Sequence, residues 1–291
     1  MSKVHRGDEL VQQAEKTMQV GFMSRIFGSK ADRARDAAEL YDKAANAYKL
    51  DKTWDRAGRA FLSAAEHYII SDDKPEAAYR FENAATAFKK IDHGAAINAL
   101  NKAIVIYREM GRFNTAARLE KEIGETYEND DESALAVEHY KLAADYYEGE
   151  GQNTNRDNCL LKAAHISALL GHYNETINIF ESISSSCASD NLRKFSIRDY
   201  LLKAGLCHLN TGDTVAVRQA LENYTSMYFE WGNSRECKLL TAILDAVEDN
   251  DEAAFSKAVR EFDNISQLDK WKTSMLLRIQ ERIKNQESEI L

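Results

Sequence analysis

The sequence predicts an all-α fold built from stacked helical hairpins. Three observations support this prediction: a recurring spacing of aromatic and small residues, a repeat period of about 20 residues, and a shortage of turn residues. The chain has 291 residues but only one proline and 13 glycines. A β-sandwich of this length needs more turn residues and more alternation of apolar and polar residues. Helices therefore account best for the whole chain.

The recurring spacing places an aromatic or large residue, a small pair and a second aromatic residue on one helical face. Offsets of i, i+3, i+4 and i+7 fall on the same side of an α-helix. The full copies are Tyr41, Ala44, Ala45 and Tyr48; Phe61, Ala64, Ala65 and Tyr68; Phe81, Ala84, Ala85 and Phe88; Leu100, Ala103, Ile104 and Tyr107; Tyr140, Ala143, Ala144 and Tyr147. Weaker copies are Ile123, Gly124 and Tyr127, and Leu160, Ala163 and Ala164. The small pair lets two helix backbones approach, so we expect these residues in the core.

The period of about 20 residues matches one helix with its turn, and two copies make a hairpin of about 40 residues. This period is typical of tetratricopeptide and armadillo-like solenoids. The predicted fold is therefore a tetratricopeptide-like α-solenoid of helical hairpins, closed by a C-terminal helical bundle. A stack of hairpins offers a long concave surface without built-in chemistry, so we expect a binding function.

The elements follow in order along the chain. A first helix is predicted from about Gly7 to Met18, then an apolar loop, then repeat helices to about residue 180. After a polar break from residue 184 the repeat loosens, and further helices are predicted at Ile197–Asn210, Thr214–Phe229, Ser234–Glu248, Glu252–Ile265 and Asp269–Asn285. The expected segments are the first helix and loop (1–30), the solenoid (31–183), the closing bundle (184–285) and an acidic, apolar-tipped tail (286–291).

Charge and composition narrow the class of partner. The 47 acidic residues exceed the 38 basic ones, and the net charge of -9 argues against nucleic acid as the main ligand. The cysteines Cys159, Cys187, Cys207 and Cys237 have no paired spacing, which favours small buried side chains in a reducing compartment. No signal peptide or membrane span is expected, because the start is polar and no apolar run reaches about 18 residues.

The sequence contains no recognisable catalytic constellation. Phosphate-binding loops, dinucleotide-binding glycines, zinc-protease histidines and nucleophile elbows are all missing, and the seven histidines lie far apart. We therefore expect no catalytic residue, no metal site and no cofactor. Convergence of distant residues in space keeps an enzyme open as an alternative.

An apolar loop near the start has two interpretations. Four large residues lie between two glycines and outside any helical face: Phe22, Met23, Ile26 and Phe27. They either pack back on the first hairpin or touch a membrane, where Arg25 and Lys30 meet anionic headgroups. A single loop of this kind gives weak, reversible membrane affinity.

Two groups of charged residues also have two interpretations. Bases within otherwise apolar helices are either solvated charges or a track for an acidic, rod-shaped partner: Arg112, Arg118, Lys162 and Lys203. Towards the C-terminus an acidic cluster precedes the apolar tip Ile290 and Leu291, and it is either a solvated end or a docking site: Asp245, Glu248, Asp249, Asp251 and Glu252.

Together these features resemble the soluble NSF attachment proteins, in particular their alpha type. The resemblance covers almost the whole chain and depends on the order and spacing of short segments: Gly21-Phe22-Met23, Met110-Gly111-Arg112-Phe113, Cys159-Leu160-Leu161-Lys162, Asp199-Tyr200-Leu201-Leu202-Lys203, Asn233-Ser234-Arg235-Glu236-Cys237 and Leu268-Asp269-Lys270-Trp271. It implies an adaptor that grips the SNARE four-helix bundle (syntaxin, SNAP-25-like and VAMP-like helices). The adaptor then recruits the hexameric NSF ATPase, which disassembles the bundle during membrane fusion.

The resemblance also implies roles for individual residues. The SNARE bundle would contact Arg112, Arg118, Lys162, Tyr200 and Lys203. The membrane would contact the loop from Phe22 to Phe27, and NSF would contact the acidic cluster with Ile290 and Leu291. In the family pattern a lysine stands near Arg118 and a leucine at Ile290. The protein is expected to be cytoplasmic and peripherally associated with membranes. A general tetratricopeptide-type scaffold that binds an extended peptide is the alternative.

Overall fold

The structure, a computed structural model, describes residues 3–19, 29–188, 190 and 192–290, with side chains between residues 6 and 285. Every regular element in these ranges is a helix, which confirms the predicted fold class. The α-helices are α1 (Lys3–Gln19), α2 (Lys30–Leu50), α3 (Trp54–Ile70), α4 (Lys74–Phe88), α5 (His93–Glu109), α6 (Phe113–Asn129), α7 (Ser133–Gly149), α8 (Asn153–Leu169), α9 (Tyr173–Cys187), α10 (Ile197–Thr211), α11 (Thr214–Met227), α12 (Arg235–Glu248), α13 (Glu252–Asp263) and α14 (Lys270–Ile290). A short 3-10 turn spans Lys194–Ser196.

The recurring aromatic and small residues form the core, as predicted. In the five full copies no member is more than 8% exposed, and most of the alanines are completely buried. Each copy lies on one helix, so consecutive helices meet along these faces. The apolar periodicity therefore determines which side of each helix faces its neighbours.

Two glycines allow aromatic rings to lie directly against a helix backbone. A Cβ atom on Gly58 of α3 would come within 2.6 Å of the Phe88 ring at the end of α4. A Cβ atom on Gly7 of α1 would come within 2.5 Å of the Tyr48 ring on α2. Both distances are too short for real contacts, so these positions require glycine unless the ring moves.

The turns recur with the same period as the helices. Eight described residues adopt the left-handed backbone conformation, and six of them lie in the turns of the repeat: Lys52, Asp72, Gly111, Asp131, Gly151 and Gly171. Glycine adopts this conformation without a steric penalty, and aspartate and asparagine tolerate it better than most other residues. Several helices are capped by an aspartate, as when Asp92 at the start of α5 accepts a hydrogen bond from the backbone N–H of Ala95 at 2.9 Å.

The chain divides into two compact units. Unit 1 comprises Met1–Asp131 with Leu142–Arg156, and unit 2 comprises Glu132–Lys141 with Asp157–Leu291. In unit 1 neighbouring helices pack as antiparallel pairs around the alanine and aromatic core. In unit 2 the helices from α8 to α14 enclose a second, larger apolar cluster. The segment boundary expected between residues 183 and 184 stays a prediction.

Two arginines of helix α14 donate hydrogen bonds to the C-terminal ends of helices that are distant in sequence. Arg278 donates to the carbonyls of Ala168 and Leu169 at the end of α8, at 3.2 and 2.7 Å. Arg282 donates to the carbonyl of Asn210 near the end of α10, at 3.3 Å. These carbonyls have no partner within their own helix, and a cation there is favoured by the helix dipole.

Some predicted helix ends were wrong. Helix α11 ends at Met227 and not at Phe229, because the backbone then turns and places Trp231 in the core. Helix α13 ends at Asp263 and not at Ile265, since the Asp263 carboxylate accepts from the backbone of Leu268 at 2.8 Å. The backbone of α14 stays helical to Ile290, beyond the predicted end at Asn285.

Candidate partner-binding surfaces

The two predicted arginines of unit 1 differ in how much of their charge is available. Arg112 is exposed at the N-cap of α6 and forms no ion pair with any described residue. Arg118 is half-exposed on the same helix and lies 2.5 Å from a Glu82 oxygen and 3.8 Å from a Glu122 oxygen. Arg112 therefore offers a free charge, while the charge of Arg118 is shared with acids of the same unit.

The Glu82 carboxylate on α4 interacts with side chains from two other helices, α5 and α6. The hydroxyl of Tyr107 on α5 donates to Glu82 on α4 at 2.5 Å, and Arg118 approaches the same carboxylate from α6. Burial and the neighbouring Glu82 raise the pKa of Tyr107, which stays a neutral donor. Burial opposes the charge of Arg118, but Glu82 raises its pKa above the ordinary value. Arg118 therefore links α6 to α4 through Glu82, whether or not it also contacts a partner.

The two Leu-Leu-Lys segments of unit 2 place their lysines in opposite environments. Lys162 is exposed on α8, as expected of a residue that meets a partner. Lys203 on α10 is only 7% exposed, and its ammonium lies 2.9 Å from an Asp199 oxygen. The sequence string is the same, so the difference comes from what each helix packs against.

Lys203 lies inside a cage of aromatic rings. Its ammonium is 5.9 Å from the ring centres of Phe180 and Trp271 and 6.0 Å from that of Tyr200. A cation over an aromatic face is stabilised electrostatically, more so when water is excluded. This burial argues against the expected contact of Lys203 with the SNARE bundle, because its ammonium already interacts with Asp199 and the aromatic rings inside the unit. Tyr200 is half-buried beside it, and burial raises the pKa of Tyr200.

A second lysine and a histidine complete this buried network. Lys272 on α14 pairs with Asp199 and lies 3.2 Å from Asp269. Burial alone would raise the pKa of Asp199, but Lys203 and Lys272 lower it. Burial, reinforced by Lys203, lowers the pKa of His165 to about 4. The carbonyl of His165 accepts a hydrogen bond from Trp271 Nε1 at 2.9 Å.

Unit 2 also carries an exposed apolar patch that the sequence did not predict. Leu192 is 90% exposed and Phe195 is 73% exposed, at the 3-10 turn before α10. Lys194 and Arg198 lie in the same stretch and form no ion pair within the described part of the chain. Large apolar residues outside any helical face, the same feature that marked the loop at Phe22, could have identified this patch.

The acidic cluster near the C-terminus is partly neutralised by bases that are distant in sequence. Arg218 on α11 pairs with Glu248 and lies 4.0 Å from Asp245. Glu252 lies 3.3 Å from Lys284 and accepts from Gln280 at 2.7 Å. Asp251 caps α13 through the backbone of Ala254 at 2.8 Å. The carboxylates left open to solvent are mainly those of Asp245 and Asp249.

Two predicted contact sites lie outside the described residues. These are the apolar loop with Phe22, Met23, Ile26 and Phe27, and the side chains of the tip, Ile290 and Leu291. Their proposed roles therefore depend on the sequence alone.

Neither a metal site nor a membrane span emerges from the described ranges. No three histidine, cysteine or carboxylate side chains there are placed to hold a metal ion. No helix among those described is long and apolar enough to cross a membrane. All four cysteines are buried and free of disulfides, as the sequence predicted.

Comparison with known proteins decides the family. The sequence model described as soluble NSF attachment protein, SNAP, matches residues 5–284. The chain belongs to the soluble NSF attachment protein family. This confirms the resemblance inferred from the short sequence segments.

Two relatives found by sequence agree with this assignment. A beta-soluble NSF attachment protein of Bos taurus is 43% identical over 280 residues, which cover 94% of this chain and 93% of the relative. An alpha-soluble NSF attachment protein of Vitis vinifera is 40% identical over 286 residues, 98% of this chain and 97% of the relative. Among solved structures, the Rap protein complexed with competence and sporulation factor has a TM-score of 0.46 at 14% identity, covering 89% of this chain and 75% of that one.

Proposed function

We propose that this chain is an adaptor for SNARE disassembly. It holds assembled SNARE four-helix bundles, recruits the NSF ATPase and stimulates it during vesicle fusion and intracellular protein transport. The observation that carries the proposal is the family match from residue 5 to residue 284, together with relatives whose names describe attachment to NSF. The adaptor is not an enzyme in this proposal, and NSF supplies the hydrolysis of ATP.

The decisive experiment is SNARE disassembly in vitro. A fluorescently labelled bundle of syntaxin, SNAP-25-like and VAMP-like helices is incubated with NSF and ATP, with and without the full chain. Disassembly should require the chain. If the chain has no effect on disassembly and instead binds extended peptides, the general scaffold is the better description.

The proposed SNARE contacts combine exposed bases with exposed apolar side chains. Arg112 and Lys162 are exposed bases on α6 and α8, and Leu192 and Phe195 supply apolar contact area in unit 2. Acidic partners are attracted by such bases, and buried apolar anchors carry most of the binding energy of an interface. We retain Arg118, Tyr200 and Lys203 as further candidates, but their internal contacts make them weaker ones.

Charge and apolar contact can be tested separately. Lys162→Glu, alone or with Arg118→Glu, should weaken SNARE binding and make the residual binding less sensitive to salt. Leu192→Ser with Phe195→Ser should weaken it at every salt concentration. Val215→Ser on α11 is the matched control, because Val215 is equally exposed and lies outside the patch. Unchanged binding by both variants at low salt would exclude these contacts.

The proposed NSF contacts are the acidic cluster and the apolar tip. Asp249 forms no ion pair with any described residue, and Asp245 stays exposed although Arg218 lies 4.0 Å away, so these two are the members best placed to attract a basic ATPase surface. Asp245→Asn with Asp249→Asn should weaken docking of NSF on preformed adaptor–SNARE complexes, whereas Glu222→Gln, on an exposed site of α11, should not. Equal docking by the double variant would contradict the assignment.

The tip should act on hydrolysis more than on docking. Removal of Ile290 and Leu291 should leave SNARE binding intact and reduce the phosphate release by NSF. Ile290→Leu measures whether the β-branched side chain limits stimulation. A truncated chain that stimulates hydrolysis fully would show that the tip has no role.

The loop from Phe22 to Phe27 is proposed to touch membranes weakly, which would make the protein cytoplasmic and peripherally associated. Phe22→Ser with Met23→Ser should slow disassembly of SNARE bundles anchored in liposomes but not of soluble bundles. The free energy of unfolding of this double variant should differ from that of the unaltered chain by less than about 1 kcal/mol. Equal loss in both disassembly assays would place the loop in the core instead.

A further inference from the structure

A groove in unit 1 lies between the start of α1 and the end of α2. Its volume is about 340 Å³, which is at the small end of the range for ligand sites. The described residues that line it include two bases and no acid: Arg6, Leu10, Lys43, Asn46, Ala47 and Leu50. A groove of this size suits a few side chains from one helical turn of a partner.

The groove lies on the side of α2 that faces away from the core of unit 1. Its four α2 residues are spaced i, i+3, i+4 and i+7, which places them along one helical face. The buried residues of α2, between Ala34 and Tyr48, follow the same spacing on the opposite face. Leu50 is 74% exposed, so it contributes little to the core. Apolar side chains exposed around a concavity mark binding surfaces more often than isolated ones.

The two bases of the groove are available for a partner. Arg6 and Lys43 are exposed and form no ion pair with any residue that the structure describes. Two acids close to them in sequence pair elsewhere, because Asp8 lies 3.2 Å from an arginine of α3 and Asp42 lies 2.7 Å from an arginine of α4. The groove therefore presents two positive charges beside an apolar floor, which favours an acidic ligand with an apolar part.

A second groove, between α12 and α13, lacks this combination. It also has two bases, Arg235 and Lys238, but Glu261 lines it as well. Arg235 donates to the hydroxyl of Ser266 at 3.3 Å, and the volume is only about 190 Å³. The groove of unit 1 is thus the larger and the more positive of the two.

One segment of this chain has the complementary chemistry. Residues 286–291 read Gln-Glu-Ser-Glu-Ile-Leu, which is two acids followed by two large apolar residues. The backbone of α14 is helical as far as Ile290, and residues three or four apart on a helix lie side by side. The spacing of Glu287 and Ile290 therefore suits one contact with a base and one with the apolar floor.

We propose that the groove between α1 and α2 receives the tail, residues 286–291, of a second copy of this chain. The two acids of the tail pair with Arg6 and Lys43, and Ile290 packs on Leu50. The contact is head-to-tail, so the two copies use different surfaces. Its area is small, and interfaces of that class are weak and transient. Joined copies withhold the tip from NSF, but the contact itself involves only this chain and does not depend on the proposed function.

Complementation between two variants tests the head-to-tail contact. One variant carries Arg6→Glu with Lys43→Glu and keeps its tail, and the other lacks residues 286–291 and keeps its groove. In analytical ultracentrifugation at up to about 1 mM, each should stay monomeric alone, whereas the unaltered chain should gain mass. The mixture should form dimers with one copy of each variant, because the tail of the first meets the groove of the second.

Single variants and salt separate charge from apolar contact. Self-association of the unaltered chain should weaken as salt is added, and Leu50→Ser should weaken it about five-fold at every salt concentration. Lys90→Glu reverses an exposed base of unit 1 outside the groove, and Val215→Ser removes a similarly exposed apolar side chain. Both controls should self-associate like the unaltered chain. If thermal unfolding shows that the double charge variant does not fold, Lys43→Glu alone takes its place.

Several outcomes would overturn the inference. It is wrong if the unaltered chain stays monomeric, if either variant self-associates like the unaltered chain, or if the mixture stays monomeric. If the charge variant keeps self-association but loses binding to phosphatidylserine vesicles, the groove is a lipid site and the inference is also wrong. No SNARE bundle or NSF enters these measurements, so their failure leaves the adaptor function to the disassembly assay.

Discussion

The two units use charge in opposite ways. In unit 1 the charged side chains mostly pair near the surface and join neighbouring helices, as Arg35 does with Asp73 at 2.9 Å and Lys74 with Glu109 at 2.8 Å. In unit 2 the Lys203, Asp199 and Lys272 network lies inside the fold among aromatic rings. Surface pairs contribute little to stability, whereas a broken buried pair leaves an uncompensated charge. We therefore expect unit 2 to depend on its charges far more than unit 1.

The same difference appears in the apolar cores. Unit 1 builds its core from alanines and rings that repeat every 20 residues or so and contact the next helix. Unit 2 brings together residues far apart in sequence, as when Trp271 donates to the carbonyl of His165 across 106 positions. Unit 2 should therefore lose more stability than unit 1 when a single buried charge is removed.

The largest effect is expected at the two Leu-Leu-Lys segments. Lys203→Ala should reduce the free energy of unfolding by about 3 kcal/mol, because it empties the space between three aromatic rings and leaves Asp199 with Lys272 as its remaining ion-pair partner. Lys162→Ala is the matched control and should change it by less than about 0.5 kcal/mol, since Lys162 is exposed. Urea-induced unfolding measures both. Equal losses would mean that burial does not distinguish the two lysines.

The next effect is a loss of stability in mild acid caused by His165. Burial and Lys203 lower the pKa of His165 to about 4 in the folded state, below its ordinary value of 6.5. Between these two pKa values His165 is protonated in the unfolded chain but not in the folded one. The free energy of unfolding should therefore fall as the pH drops from about 6.5 towards 4. Between pH 7 and pH 5 the loss should be about 2 kcal/mol.

Unfolding of two histidine variants at several pH values measures this contribution. His165→Phe keeps a ring against Phe180 and Trp271 but cannot titrate, so stability should vary less between pH 7 and pH 5. His172→Gln, at an exposed position of the same unit, should keep the pH dependence of the unaltered chain. If His165→Phe keeps the full dependence, other groups cause it.

An effect no larger than that of His165 is expected from the close contacts in unit 1. Gly58→Ala should cost about 2 kcal/mol, because the added carbon meets the Phe88 ring and the packed helices cannot move apart freely. Gly149→Ala, at the end of α7, has nothing within 4 Å of the added carbon and should be neutral or slightly stabilising. Thermal unfolding of both variants is the measurement. A neutral Gly58→Ala would show that the ring can shift without cost.

The contrast between the units also explains how much the sequence predicted. The helices of unit 1 were predictable because each contact of Ala44, Phe61 or Tyr68 repeats a local pattern with the next helix. The closing helices were found from periodicity, but their contacts were not. Nothing local distinguishes Lys203 from Lys162, since burial of Lys203 depends on Trp271 from a distant helix.

In the candidate sites, too, local features were predictable from the sequence and contacts between distant helices were not. Lys162 was identifiable from the sequence because it interrupts an apolar helix, whereas Arg112, predicted on the same ground, lies at the N-cap before α6. The acidic cluster was identifiable as well, but its pairing with Arg218 and Lys284 was not, because these bases come from other helices. Leu192 and Phe195 were missed because they lie just after a polar break, where the sequence was interpreted as a connection.

The smallest effect is expected where charge lies nearest to water, at Arg118 and Glu82. Arg118 is half-exposed, so water replaces Glu82 when either side chain is shortened. A double-mutant cycle with Arg118→Ala and Glu82→Ala should give a coupling free energy below about 1 kcal/mol. The same cycle with Lys203→Ala and Asp199→Ala should give at least about 2 kcal/mol, because the Lys203 side chain is only 7% exposed. Because Glu82 also accepts from Tyr107, Tyr107→Phe must be included as a background, so that loss of that hydrogen bond is not counted as charge coupling. If the two coupling energies are equal in that background, surface and buried pairs contribute alike, and the distinction between the units reduces to their apolar packing.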